Sequence, residues 1–204
     1  MFQVLPDGHC FICGKDYKGF FKDHLGSQTI EQHHSNKEKI ILANINRYTR
    51  QKKLEKFLKE SNDIEGESWD QLPMEAAKFA LAHVHKNIHP LDICKIHLLL
   101  GEDMRKQNNI HLGEFRKCSV HVGKWIAPSP KEIVSMMDDY CAKWAEKDSW
   151  TAHNEFEAIH PFEDGNGRVG RLLWLIKAIE EGYDYSIPFL HKYYYQTLSK
   201  QNVC

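Results

Sequence analysis

The stretch His160-Pro161-Phe162-Glu163-Asp164-Gly165-Asn166-Gly167-Arg168-Val169-Gly170-Arg171 decides how this chain is read. It lies between two amphipathic helical patterns. One ends near Ile159; the other runs from about Gly167 to Glu181 with Val169, Leu172, Leu173, Ile176 and Ile179 inward. Gly165-Asn166-Gly167 can take the positive-φ conformations that turn successive amides toward one point, and the following helix aims its positive N-terminal end at the same point. An anion fits there. Arg168 and Arg171 lie three apart on the first turn of that helix, and their planar forks suit the oxygens of a polyphosphate. Asp164 offers the hard carboxylate oxygen that Mg²⁺ takes when it also holds substrate phosphates. His160 can accept a hydroxyl proton near neutral pH. Together these describe group transfer from a nucleoside triphosphate to a hydroxyl, which requires a positioned nucleophile, a base and charge neutralisation on the attacked and leaving phosphates.

Outward from this segment the chain reads as mainly α. Its 204 residues, 42% of them hydrophobic, suffice for one sizeable domain with a small appendage. Helical patterns are expected over about Lys37–Ile64, where Leu54, Phe57 and Leu58 share a face, over Met74–His85 and over Ile93–Leu100. Gly66 interrupts the first. Between Gly101 and Pro128 the helical period fails, and the alternation in Cys118-Ser119-Val120-His121-Val122 predicts a loop with a short hairpin. Ser129-Pro130-Lys131-Glu132 predicts the start of the next helix, with Ser at the N-cap, Pro at the first position and Glu at the third. That helix carries Ile133, Met136, Met137, Tyr140 and Trp144, and a last one is expected from about Pro188.

The twelve quoted positions resemble the signature of the Fic family, His-Pro-Phe-x-Asp/Glu-Gly-Asn-Gly-Arg-x-x-Arg, at every specified place. The resemblance extends further. Gly113-Glu114-Phe115-Arg116 with Val120-His121-Val122-Gly123 and Pro128 looks like the segment of the family's hairpin flap, which holds a target's extended segment by backbone pairing. Ile96-His97-Leu98-Leu99-Leu100 resembles the family's Ile-His-x-x-Leu helix, and Tyr194-Tyr195 with Leu198 its closing helix. The resemblance implies a Fic helical bundle with a β-hairpin flap, and an adenylyltransferase that moves AMP from ATP to a hydroxyl side chain of a target protein. In that reading His160 is the base and Phe162 holds the loop. Asp164 binds Mg²⁺, and Gly165, Asn166 and Gly167 cradle the phosphates. Arg168 neutralises the leaving pyrophosphate and Arg171 meets the γ-phosphate. Glycine at position 167, where phosphate-transferring relatives carry Lys, favours AMP transfer.

A second resemblance lies upstream. Ser61-Asn62-Asp63-Ile64-Glu65-Gly66 matches the inhibitory pattern Ser/Thr-x-x-x-Glu-Gly/Asn of the family's self-inhibited subclass, whose inhibitory helix precedes the core. Ser61, Glu65 and Gly66 are therefore read as inhibitory residues, with Glu65 pairing to Arg171 in place of the γ-phosphate. The same six residues also suit a helix end with a C-cap glycine.

The N-terminal residues differ in texture. Cys10 and Cys13, a C-x-x-C pair, with His24 and His33 or His34, supply four ligands of the kind a structural Zn²⁺ site takes, although their spacing is not that of a two-Cys two-His finger. The expected organisation is a zinc-finger-like element over 1–36, a helical linker with the inhibitory helix over 37–66, and the catalytic core over 67–204.

With 27 basic and 28 acidic residues the net charge is −1, which gives no general drive toward nucleic acid or a membrane surface. The basic run Arg47–Lys59 reads as a solvated helix face. No apolar stretch approaches the roughly 20 residues a spanning helix needs, and the chain reads as soluble and cytoplasmic. The partners implied are ATP and a target protein on the flap, with a homodimer left open. Two other functions are weighed: a hydrolase that removes AMP, alone or within a bifunctional enzyme, using the same residues with Glu65 orienting water, and a non-catalytic adaptor that binds a partner through the N-terminal cluster and the flap. The intact His160, Asp164, Arg168 and Arg171 weigh against the adaptor.

Overall fold

The helical periodicity is realised as α1 (Ser27–Glu65), α2 (Met74–Leu81), α3 (Pro90–Leu100), α4 (Ile133–Ala142), α5 (Ser149–Ile159) and α6 (Asn166–Glu180). Between α3 and α4 lies an antiparallel hairpin, β1 (His121–Val122) with β2 (Trp125–Ile126), in the register His121↔Ile126 and Val122↔Trp125. The computed structural model describes residues 27–66, 73–101, 111–122 and 125–185, without the side chains of 27–38, 40, 41, 46 and 47. By its contacts the chain divides into Met1–Gln51 and Lys52–Cys204. In the first unit the described residues belong to α1, where Leu42, Ile45 and Tyr48 are exposed.

The second unit is built on the pair α5 and α6. Ala152, Phe156 and Ile159 from one helix meet Val169, Leu172, Leu173 and Ile176 from the other, all buried. Burying each large aliphatic or aromatic side chain is worth about 1.5–3 kcal/mol. Asp148 starts α5 by accepting the Thr151 amide at 2.6 Å, which satisfies one of the orphan donors of the first turn. The end of α1 joins the same core through Leu54, Phe57, Leu58 and Ile64, and the Phe57 ring lies parallel to Trp174 of α6 with centroids 6.1 Å apart. Helix α2 packs by Ala76, Ala77 and Ala80, small residues that allow close approach, beside Ile93 and Ile96 of α3. Helix α4 adds Ile133, Met137 and Tyr140, whose hydroxyl donates to the Ala152 carbonyl at 2.8 Å.

Several helix limits differ from expectation. Helix α1 begins at Ser27, about ten residues earlier than the pattern from Lys37 indicates, and so takes in His33 and His34. Helix α2 stops at Leu81, because residues 82–85 turn and His85 takes a left-handed φ of 60°. Ser129 is not the N-cap, which is Glu132; of the expected box Ser129–Glu132 keeps the Ser129 amide on Glu132 Oε2 at 3.2 Å, while Ser129 Oγ accepts the Lys131 amide at 3.4 Å. The segment is a tight turn closed from Glu132 N to Ser129 O, and the α-helix itself starts at Ile133. Trp144 sits on a separate 3₁₀ turn, Trp144–Glu146. The helix expected from Pro188, with Tyr194, Tyr195 and Leu198, lies outside the described residues. Among the described residues no helix is long and apolar enough to cross a membrane.

Candidate active site

Helix α5 ends at Ile159, and His160 follows in the left-handed region at φ 51°. That conformation costs a non-glycine residue of order 1 kcal/mol, so its surroundings must hold it. Arg116 does so. Its buried guanidinium donates from Nε to the His160 carbonyl at 2.7 Å and from Nη2 to the carbonyls of Ile159 at 3.5 Å and Pro128 at 2.7 Å. Nη1 donates to the Cys118 carbonyl at 2.9 Å. The Ile159 and His160 carbonyls stand at the negative end of α5, where a cation is favoured. Cys118 and Pro128 flank the hairpin, so one side chain ties the flap to the residue expected to be the base.

Phe162 is fully buried and stacks on the His97 ring, with centroids 3.8 Å apart. The Gly113 amide donates to His97 Nδ1 at 3.0 Å, which makes Nδ1 the bare nitrogen. Nε2–H therefore donates to the Asp164 carbonyl at 3.0 Å. Burial pushes the His97 pKa down to about 4, and the ring stays neutral. Asn166 closes the loop from inside: Oδ1 accepts the Phe162 amide and Nδ2 donates to the Phe162 carbonyl, both at 2.9 Å. Its side chain is thus spent on loop geometry, and the main-chain N–H groups at the start of α6 are what the loop can offer an anion. Gly165 precedes α6 at φ 74°, the positive angle that glycine takes without strain. Asp164 is exposed; Oδ1 accepts the Gly165 amide at 2.6 Å, and Oδ2 takes no hydrogen bond among the described residues. An exposed carboxylate with an open oxygen beside an anion cradle fits a hard cation.

Arg168 and Arg171 are both buried. Arg171 Nε donates to Ser61 Oγ at 2.7 Å, and Nη2 donates to the Ser61 carbonyl at 3.0 Å and to Glu65 Oε1 at 2.5 Å. Gly66, at φ 72°, ends α1 by closing its amide on the Asp63 carbonyl at 3.1 Å. Ser61–Gly66 is therefore a helix end and a clamp on Arg171 at once. Glu65 lies against Gly167, where a β-carbon would collide with its Oε1. Burial holds the His160 pKa below its ordinary 6.5, helped by the Arg116 charge and opposed by the Glu157 carbonyl. A neutral imidazole is the form that can accept a proton.

Residues 87–176 match the Fic/DOC family. That stretch is similar to a Fic domain. A protein adenylyltransferase Fic from Aedes aegypti is 34% identical over 116 residues, which cover 50% of this chain and 22% of that one. A probable protein adenylyltransferase from Aquifex aeolicus (strain VF5) is 33% identical over 93 residues, 42% of this chain and 29% of that one. The chain thus spans less than a third of the length of these relatives. In fold it is similar to a Fic family protein from Desulfovibrio desulfuricans G20, with TM-score 0.59, 21% identity and coverage of 88% of this chain and 68% of that one.

Within the matched segment the structure brings His160, Asp164, Gly165, Asn166, Gly167, Arg168 and Arg171 into one loop and helix start, and from outside it Ser61 and Glu65 meet Arg171. Cys10, Cys13 and His24 lie outside the described residues. His33 falls within α1, but its side chain is not described. No group of three or more His, Cys, Asp or Glu among the described residues is placed to hold a metal. Two residues of the site escaped the sequence reading, His153 and Glu157, both on α5 and turned toward α6 beside Gly170. Their signal was positional: Glu157 is one turn from His153 and one turn from His160, next to an inward face otherwise apolar.

Proposed function

We propose that this chain is a protein adenylyltransferase, self-inhibited by Glu65, that joins AMP from ATP to a hydroxyl side chain of a target protein. Support comes from the activity in the names of the matched relatives and, in the molecule, from one observation. The buried arginine expected to meet the γ-phosphate is occupied by a carboxylate and a serine of a preceding helix. A carboxylate on Arg171 mimics a phosphate oxygen, so ATP must either displace it or bind with its γ-phosphate misplaced. His160 would take the hydroxyl proton, the amides at the start of α6 and Arg168 would hold the phosphates, and the main-chain edge of β1–β2 would seat the target. Asp164 would hold Mg²⁺, which would supply charge neutralisation on the phosphates.

Glycine at position 167, where phosphate-transferring relatives carry Lys, favours transfer of AMP over phosphate. The test is mass spectrometry of the Glu65→Gly protein and of lysate proteins after incubation with ATP, CTP, GTP or UTP. Addition of an AMP mass to hydroxyl residues, and from ATP most strongly, is expected. A phosphate mass, or release of AMP from a pre-modified target with no transfer, would overturn the assignment.

A further inference from the structure

Behind the proposed base stands an acid that nothing in the preceding reading uses. His160 Nδ1 is buried and closes no full hydrogen bond in this structure; it has two candidate acceptors on one residue, the Glu157 main-chain carbonyl and Glu157 Oε2, the latter 3.7 Å away and about 0.8 Å beyond hydrogen-bond length. Such bonds are often long before substrate binds. The other carboxylate oxygen, Oε1, is also buried without a hydrogen bond and lies against Gly170. A β-carbon at Gly170 would come within 2.5 Å of it, so glycine at that position leaves the carboxylate its space. The groups that face this carboxylate are His153 on α5, His160 just past its end, Tyr140 from α4, Arg171 from α6 and Glu65 from α1.

We propose that Glu157 is the positioning residue of the base, fixing the proton of His160 on Nδ1 and stabilising the positive ring that forms during transfer. The reading rests on His160 as the base. With Nδ1 buried toward Glu157, Nε2 is the nitrogen left to meet a substrate. Nε2 is bare only when the neutral ring carries its proton on Nδ1, and that proton needs an acceptor. The carboxylate is one; the protonated acid is a donor and favours the wrong tautomer. In the transfer step the hydroxyl oxygen bonds to the α-phosphorus as the bond to pyrophosphate breaks. The hydroxyl proton goes to Nε2, the electron pair leaves with pyrophosphate, and the imidazolium then has Glu157 behind it.

Burial pushes the Glu157 pKa up to about 7, with Glu65 adding to the rise and Arg171 opposing it. The carboxyl and the ring titrate as a linked pair, and the acid limb belongs to both groups together. Activity requires both the ionised acid and the neutral ring. Replacing Glu157 removes one titration and withdraws a stabiliser of the imidazolium, so the limb moves to lower pH.

The experiment compares Glu65→Gly with Glu65→Gly, Glu157→Gln, using ATP labelled at the α-phosphate and self-modification as the readout from pH 5.5 to 9. Gln keeps the shape of the neutral acid, and fluorescence-monitored unfolding checks the fold. We expect the plateau rate to fall 10- to 100-fold with KM for ATP within about twofold, and the acid limb to move down by one pH unit or more. An unmoved limb overturns the proposal even if the rate falls, because a merely structural glutamate leaves the base's titration where it was. Absence of transfer in the Glu65→Gly parent would contradict the transferase reading instead. The inference keeps its own test through the ¹⁵N shifts of His160 in the unmodified protein. A ring protonated on Nδ1 at pH 8 that shifts toward the Nε2 form in Glu157→Gln supports it, and the same tautomer in both proteins overturns it, because the Glu157 main-chain carbonyl is present in each.

Discussion

At Gly167 a β-carbon would fall inside contact distance of Glu65 Oε1 and 3.0 Å from Arg171 Nη1. The residue itself is helical, in the first turn of α6, so alanine there carries no backbone strain. Two effects then oppose each other. Alanine favours the helix by about 0.5–1 kcal/mol relative to glycine, but its methyl displaces the carboxylate that completes the clamp. Gly167→Ala should destabilise the wild-type protein and stabilise the Glu65→Gly protein, with a coupling of about 1 kcal/mol or more in a double-mutant cycle. Urea unfolding of the four proteins measures it. Shifts of the same sign and size in both backgrounds would mean that Glu65 does not occupy this space.

The pairing of α5 with α6 encloses a neutral histidine. His153 is fully buried, and burial pushes its pKa down to about 4, with Arg171 adding to the fall. In the unfolded chain the same ring titrates near 6.5. As pH falls from about 6.5 toward 4 the unfolded state therefore binds the proton first, and stability drops, by up to about 3 kcal/mol for this residue, levelling off below 4. His97, with its pKa also near 4, acts in the same direction. Glu157 acts against them. Its folded pKa of about 7 lies above the unfolded 4.5, so it adds stability as pH falls through that window. Two histidines against one acid leave a net loss, and the unfolding midpoint should fall steadily from pH 6.5 to 4.5. His153→Gln should flatten that slope; an unchanged slope would show that the ring is already protonated in the folded protein.

Across the molecule, what was legible depended on whether a residue's role is local. The loop His160–Arg171 could be read because anion binding, helix start and glycine turn are set by neighbours in sequence. Ser61 and Glu65 could be read only through a resemblance, since 106 positions separate Glu65 from Arg171. Their meeting depends on Phe57 reaching Trp174 so that the end of α1 lies on α6. Arg116 was quoted as part of a flap segment, yet its four carbonyl partners come from three separate stretches, and no spacing announces them. Glu157 was missed for a related reason: a charge on a helix reads as solvated until a partner helix covers it.

The clamp on Arg171 is the feature that joins these scales, and labelling with ATP marked at the α-phosphate tests it directly. Breaking a buried pair at one partner usually costs several kcal/mol, but the Glu65 side chain is 33% exposed, which reduces that figure. Even about 1.4 kcal/mol corresponds to tenfold in rate. Under matched ATP and Mg²⁺, Glu65→Gly should label itself at least tenfold faster than the wild type. Adding His160→Ala should return it to background while ATP binding survives. Arg171→Ala removes the clamp and the proposed γ-phosphate contact together and should stay inactive. Equal self-labelling by Glu65→Gly and wild type would contradict self-inhibition and leave Ser61–Gly66 as a helix end alone.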